Sequence, residues 1–410
     1  MTHANTAAYT DTQVQSQGLD FSGLHQTMQK TVEADLLTGV SSAVLRGRTL
    51  VDLHCTGLAD RERNEALRPD HLFRIFSNTK LFTSCAILLL WEEGRLGLDD
   101  PIERYIPQLG QRQVLRAGAT AIDQVEPARS SITVRHLLSH SSGLSYGLLD
   151  PGTVMFKAYT GAKVLNAATP LSAMMDVLAG LPLSFHPGTA WEYSVATDVL
   201  SRLVEVVSGK AFDAFLAERI FAPLGMTDTG FVVPPADQAR LVGYYAGASL
   251  TDPLKPGLTA TPDAPYPGAY LRAMPRLSGG GGLVSSLPDM IALMRGLIPG
   301  EAGDAPTLLK PATIELMMRS HLPEGTFIRF PTVGEAKGKA FGLGGAVTLA
   351  CSSIDPPGSE GEFQWGGIAG THWWINPRKR LAGLVMAQRQ MAFWHPFSFG
   401  MKRAVYAAAG

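Results

Sequence analysis

Strand-like runs lie at the two ends of this chain and enclose a middle that reads as helical. Near the start, "SSAVLRG" and "TLVDLHCTG" are two β-rich runs separated by Gly47-Arg48, a short hairpin signal. Far downstream, "FGLGGAVTLA", "THWWINP" and "LAGLVMAQRQ" are again strand-like. Sheet edges need partners, so the economical fold is one antiparallel sheet built from both ends. Phe21–Leu37 has helical spacing, with Leu24, Met28, Val32 and Leu36 on one side and Gly39 placed to end it. "PFSFGMKRAVYAA" forms a second terminal helix, and the two cover the sheet. The expected division is a polar tail over 1–20, an α/β domain from 21–76 and 277–410, and a mainly helical insert over 77–276 with a loop-rich stretch at 234–276.

Composition bounds the partners. The 410 residues carry a formal net charge of −1, without a basic run. Nucleic acid and anionic membranes are therefore poor partners. The longest apolar run, around Cys85–Trp91, is too short to span a bilayer. The polar start "MTHANTAAYTDTQVQSQ" does not look like a secretory signal, and Cys55, Cys85 and Cys351 lack metal-like spacing. Two of the three fall in apolar segments, as buried thiols do in a reducing compartment, so a cytoplasmic location is expected.

Chemistry enters at "FRIFSNTKLFTSCAILLLWEEGRLGLDD". Leu81–Trp91 is apolar nearly all round, the mark of a buried helix. Ser77 and Lys80 precede it, three residues apart and on one face. Unpaired N–H groups at a helix N-terminus favour a developing oxyanion. Burial and the helix dipole both disfavour an ammonium there, so Lys80 suits the task of taking the Ser77 proton. A two-letter pattern arises by chance about once in a chain of this length, and an N-cap serine before a surface lysine is the bland alternative. Tyr193, in "FHPGTAWEYSVATDVL", stands just before a helix, either as a proton relay or as an aromatic packed under a loop. In "EFQWGGIAGTHWWINP", Gly366 and Gly367 either leave room for a substrate beside a strand or form a bulge. In the first case the Ile368 N–H joins that of Ser77 as an oxyanion hole.

In this order, from about Gly39 to the C-terminus, the chain resembles the serine β-lactamase-like superfamily, which carries S-x-x-K. "GLADRE", "EEGRLGLDDPIERYIPQL", "TVRHLLSHSSGLSYG", "APLGMTDTGF" and "SGGGGLVSS" add to the likeness. Within it the chain is most similar to the family VIII carboxylesterases, which have a class C β-lactamase fold. The resemblance implies an α+β fold of the β-lactamase/penicillin-binding-protein kind: an antiparallel sheet flanked by terminal helices, a mainly helical insert, and the active site between them. It implies Ser77 as nucleophile, Lys80 as base partner and Tyr193 as second proton-transfer group, with no metal or organic cofactor.

Two departures from the lactamase pattern bear on substrate. Val195 replaces the Asn of Tyr-x-Asn, and Trp365-Gly366-Gly367 replaces Lys-Thr-Gly. Losing both polar handles disfavours an anionic lactam, and an apolar mouth suits an uncharged ester. The expected substrate is thus a small ester of short to medium acyl chain, with Val195, Trp365, Gly366, Gly367 and His372 about it. β-Lactamase or D-amino-acid peptidase action, acyl transfer, and a non-catalytic binding protein on the same scaffold are the alternatives.

Other motifs read as structure. "GLSYG" around Ser145 fits G-x-S-x-G but lacks the strand before and the helix after. His140 reads as a helix-end histidine, and the Asp99-Asp100 pair as a turn. Gly279–Gly282 reads as backbone passing close to the active-site floor. Trp373 and Trp374 alternate sides of a strand, one facing the acyl pocket and the other the core.

Overall fold

The computed structural model describes residues 14–149, 151–249, 251–300, 304–330 and 334–410. Residues 1–13 of the expected polar tail lie outside the described residues. Eight strands form one sheet: β1 (Gly39–Arg46), β2 (Thr49–Asp60), β3 (Glu65–Ala66), β4 (Lys339–Phe341), β5 (Ala346–Thr348), β6 (Phe363–Gly367), β7 (Thr371–Asn376) and β8 (Leu381–Met386). Their order is β4-β5-β6-β7-β8-β1-β2-β3, antiparallel throughout. The β1–β8 pairing, Ser41 opposite Met386, is where the two chain ends meet. Gly47 turns the first hairpin at φ +59°, a conformation that costs glycine little.

Alternation along each strand sends side chains to two separate cores. On one face Val40, Val44, Trp374 and Val385 pack with Leu24 and Met28 of α1 (Ser22–Glu33) and with Phe397, Met401 and Val405 of the C-terminal helix Pro396–Ala409. On the other, Ala43, Leu45, Trp373 and Leu384 join the larger core shared with the helical part. Trp373 and Trp374 therefore do face opposite ways, but neither lines the main cavity.

The centre of the helical part is α2 (Thr79–Glu92), buried from Thr79 through Leu90. Its polar side chains are spent on a neighbouring backbone. Thr83 Oγ1 donates to the Gly279 carbonyl at 3.0 Å, and Thr79 Oγ1 accepts from the Leu283 N–H at 3.1 Å. The glycine run lies flat on this helix because side chains would not fit. A Cβ on Gly279 would stand 1.8 Å from Ser201 Oγ and 2.6 Å from Thr83 Oγ1. Beside α2 packs α3 (Ala196–Ser208), which closes on Gly209 in the left-handed region.

The insert also holds short strand pairs that the sequence reading did not separate from loop, Gln113–Leu115 with Val125–Pro127 and Tyr245–Gly247 with Leu258–Ala260. Three residues are too few for a period-2 pattern to stand out. Among the described residues no helix is long and apolar enough to cross a membrane.

Candidate active site

Ser77 sits in a tight 3-10 turn, Phe76–Asn78, immediately before α2. Phe76 takes φ +43°, unusual for an aromatic residue, and its ring packs between Tyr244 and Tyr270. That strained turn leaves Ser77 half-buried at the wall of a cavity. Lys80, one turn on, is 1% exposed. Its Nζ lies 3.5 Å from Ser77 Oγ, at the limit of a hydrogen bond, and donates to the Gly280 carbonyl at 2.7 Å.

The Tyr193 ring faces the same amine. Lys80 Nζ stands 4.5 Å from its centroid, and 5.7 Å from that of Tyr146, which stacks on Tyr193 at 5.6 Å and 3°. Burial, then the charge of Asp198, push the Tyr146 pKa upward. Behind Tyr193, the fully buried His140 ring lies 4.9 Å away. Burial, and secondarily the Lys80 charge, hold its pKa well below the ordinary imidazole value. Its Nδ1 accepts from the Ser194 N–H at 3.2 Å. His140 is thus a neutral, hydrogen-bonded support for the Tyr193 segment.

The sheet supplies the opposite wall. The Trp365 indole Nε1 donates to the Tyr193 hydroxyl at 3.3 Å. The end of β6 presses on the turn carrying Ser77: a Cβ on Gly367 would lie 2.5 Å from the Ile75 carbonyl oxygen. Thr371 Oγ1 donates to that same oxygen at 3.3 Å. Glycine at 367 therefore allows the strand backbone to reach the nucleophile's turn. Ser77, Gly366 and Ile368 all line one cavity, and the amides of Ser77 and Ile368 belong to the segments that meet there.

That cavity has a volume of about 550 Å³ and a largely aromatic wall. Phe330, Trp365, Phe393 and Trp394 form one cluster, with Phe330–Trp394 and Phe393–Trp394 centroids 4.7 and 4.6 Å apart. Tyr244, Tyr266, Tyr270 and Met274 line it from the loop-rich segment. Exposed Leu148 and Met391 also line it. Apart from Trp365 on β6, these side chains come from segments far apart in the chain, and no spacing in the sequence announces them.

Three expected contacts are corrected. Val195 is fully buried at the N-cap of α3, its N–H held by the Ser145 carbonyl, and does not line the cavity. Gly367 does not line it either, its Cα being turned to Ile75. His372 is opposite Gly366 and Val385, on the face turned to the terminal helices. Strand alternation puts it behind the site, where burial, then Lys402, push its pKa down to about 3. Ser145 is 3% exposed within a loop whose N–H is bound by the Tyr159 hydroxyl at 3.1 Å. It has neither the strand nor the helix of a nucleophile elbow. Asp99 and Asp100 part company, one pairing with Arg135 and the other accepting from the Gly97 N–H.

Comparison with known proteins bears on the family and the fold. The beta-lactamase family model matches residues 24–393. Esterase EstB of Burkholderia gladioli is 31% identical over 90% of this chain and 91% of its own. Acyltransferase calJ of Penicillium decumbens is 30% identical over 80% and 78%. The solved structure of EstCE1, described as a hydrolase with promiscuous acyltransferase activity, superimposes with a TM-score of 0.78 over 94% of this chain and 98% of that one. Its 24% identity speaks to the fold alone.

Proposed function

Because the chain belongs to the beta-lactamase family, we propose that it is a serine hydrolase of the carboxylesterase kind, acting through an acyl-enzyme on Ser77. The observation that carries this reading is the convergence on Lys80 Nζ of Ser77 Oγ at 3.5 Å and the Tyr193 ring at 4.5 Å, beside an aromatic cavity.

Ser77 Oγ attacks the ester carbonyl while its proton passes to the Lys80 amine. The carbonyl π pair moves to oxygen, where the N–H groups of Ser77 and Ile368 receive it. As the C–O bond to the alcohol breaks, Tyr193 gives its proton to the leaving oxygen and is resupplied from Lys80. Water then repeats the sequence on the acyl-enzyme. The Trp365 N–H already occupies one lone pair of the Tyr193 oxygen, so the phenol's own hydrogen is the one available to donate.

An ester is favoured over a lactam by the wall at 365. Indole brings no charge to face a carboxylate, and the rings around it would leave such a group desolvated. Similarity to EstB favours hydrolysis. Similarity to calJ favours a second reading, in which an alcohol replaces water as acyl acceptor.

The test is p-nitrophenyl butyrate turnover alongside a chromogenic cephalosporin, with alcohol acceptors added in parallel. Ser77→Ala abolishes ester turnover, Ser145→Ala keeps most of it, and the cephalosporin is a poor substrate. Ester formed at the expense of free acid would establish the transfer reading instead. Activity surviving Ser77→Ala overturns both.

A further inference from the structure

Asp198 is an acidic side chain near the proton-transfer groups that has no part in the steps proposed above. It lies in the first turn of α3, five residues after Tyr193, and is 1% exposed. A carboxyl group so deeply buried is costly without a purpose. Its Oδ1 accepts from Ser278 Oγ at 2.6 Å. Its Oδ2 lies against Gly280: a Cβ there would stand 2.7 Å from Asp198 Oδ2 and 3.5 Å from Lys80 Nζ. The carboxylate and the amine are therefore within about 6.2 Å of one another, across a single glycine. Among the described residues they form no direct ion pair.

We propose that Asp198 is a positioning residue for the proton transfer, fixing the Gly280 carbonyl on Lys80 and facing the amine as it takes the Ser77 proton. This inference rests on the reading of Ser77 and Lys80 as nucleophile and base. The bond from Ser77 Oγ to the acyl carbon forms as the carbonyl π pair moves to oxygen, and the Ser77 proton moves to Lys80 Nζ, one glycine away from the Asp198 carboxyl group. The carboxylate faces the amine at the moment the proton arrives, so the attraction acts on the rate. When Lys80 passes the proton onward through Tyr193, the attraction is released.

The groups facing Lys80 leave this task to Asp198. The segment after Leu138 presents His140, held neutral, and Tyr146, whose ionisation is disfavoured. The segment before α3 presents Tyr193, and the glycine run presents a carbonyl and, through Asp198, Ser278.

The test compares Asp198→Asn, Ser278→Ala and Ser77→Ala in the full chain, with kcat/KM for p-nitrophenyl butyrate measured from pH 5 to 9. Asp198→Asn lowers kcat/KM about tenfold or more and moves the acid limb about one pH unit or more to lower pH, because an ammonium at Lys80 has lost its counter-charge. Ser278→Ala keeps the charge and leaves the limb in place. If both variants lose activity alike with the limb unmoved, Asp198 only holds the loop and the proposal is overturned. Should Asp198→Asn fail to fold, the double variant Asp198→Ala/Ser278→Ala removes both hydrogen-bond partners and carries the same test. Ser77→Ala separates the two failures: its inactivity keeps the nucleophile reading even where Asp198 proves silent.

Discussion

Replacing Trp365 by phenylalanine removes one hydrogen-bond donor from the site while keeping an aromatic ring there. The indole N–H donates to the Tyr193 oxygen at 3.3 Å, and the ring is 5% exposed among Tyr193, Phe341 and Phe393. A hydrogen bond between neutral groups is worth about 0.5–1.5 kcal/mol net, and one to a charged oxygen about 1.5–3. If Tyr193 gives up its proton as the alcohol leaves, its oxygen gains negative charge only in the transition state. The bond then strengthens by about 1 kcal/mol on going from free enzyme to transition state, roughly a fivefold rate factor. The leaving group isolates this effect. p-Nitrophenolate departs without help, whereas an alkoxide needs the proton. Trp365→Phe therefore lowers kcat/KM for ethyl butyrate, followed by titration of released acid, about fivefold more than for p-nitrophenyl butyrate. The shared acyl group makes the loss of indole area largely common to the two esters. Equal losses on both would refute a proton-donating role for Tyr193.

Two further outcomes test the packing. Gly279→Ala forces a methyl into the seam between α2 and α3, where Ser201 Oγ and Thr83 Oγ1 stand 1.8 and 2.6 Å from the new atom. It costs about 1–3 kcal/mol, read as a lower urea midpoint at unchanged slope, and full stability would contradict the close approach. Asp289 has its pKa pushed up to about 6 by burial, against hydrogen bonds from Thr229 and the Asp228 N–H. The folded state then holds that proton more tightly than the unfolded one, so the contribution is present at low pH and is lost as pH rises from about 4 to 6. Asp289→Asn flattens the urea stability curve across that window by up to about 3 kcal/mol, and an unchanged slope would place its source elsewhere.

The sheet assembled from both chain ends was legible because strand-like runs such as "SSAVLRG" and "LAGLVMAQRQ" have few other partners. Ser77 and Lys80 were legible as a pair because three residues fix a helical face. Their approach to Tyr193, more than a hundred residues away, came only from family resemblance, since spacing says nothing across loops. His372 was misplaced for a definite reason. Its side of β7 depends on the register with β6 and β8, and a slip of one residue would reverse it. Val195 was carried over from a motif, yet in this chain its side chain is buried in the larger core and its N–H is bound by the Ser145 carbonyl. Asp198 and Ser278 were unreadable because their contact exists only where α3 crosses the glycine run. The aromatic cluster of Phe330, Phe393 and Trp394 arises likewise from segments that meet only in the folded molecule.

The central claim is that the hydroxyl of Ser77 is the activated nucleophile of this molecule. A fluorophosphonate probe, proteolysis and mass spectrometry of the labelled peptide address it directly. The adduct is expected on Ser77 and is lost in Lys80→Met, since the hydroxyl then has no amine to take its proton. Label on Ser145, or labelling of Ser77 undiminished without Lys80, would contradict the account.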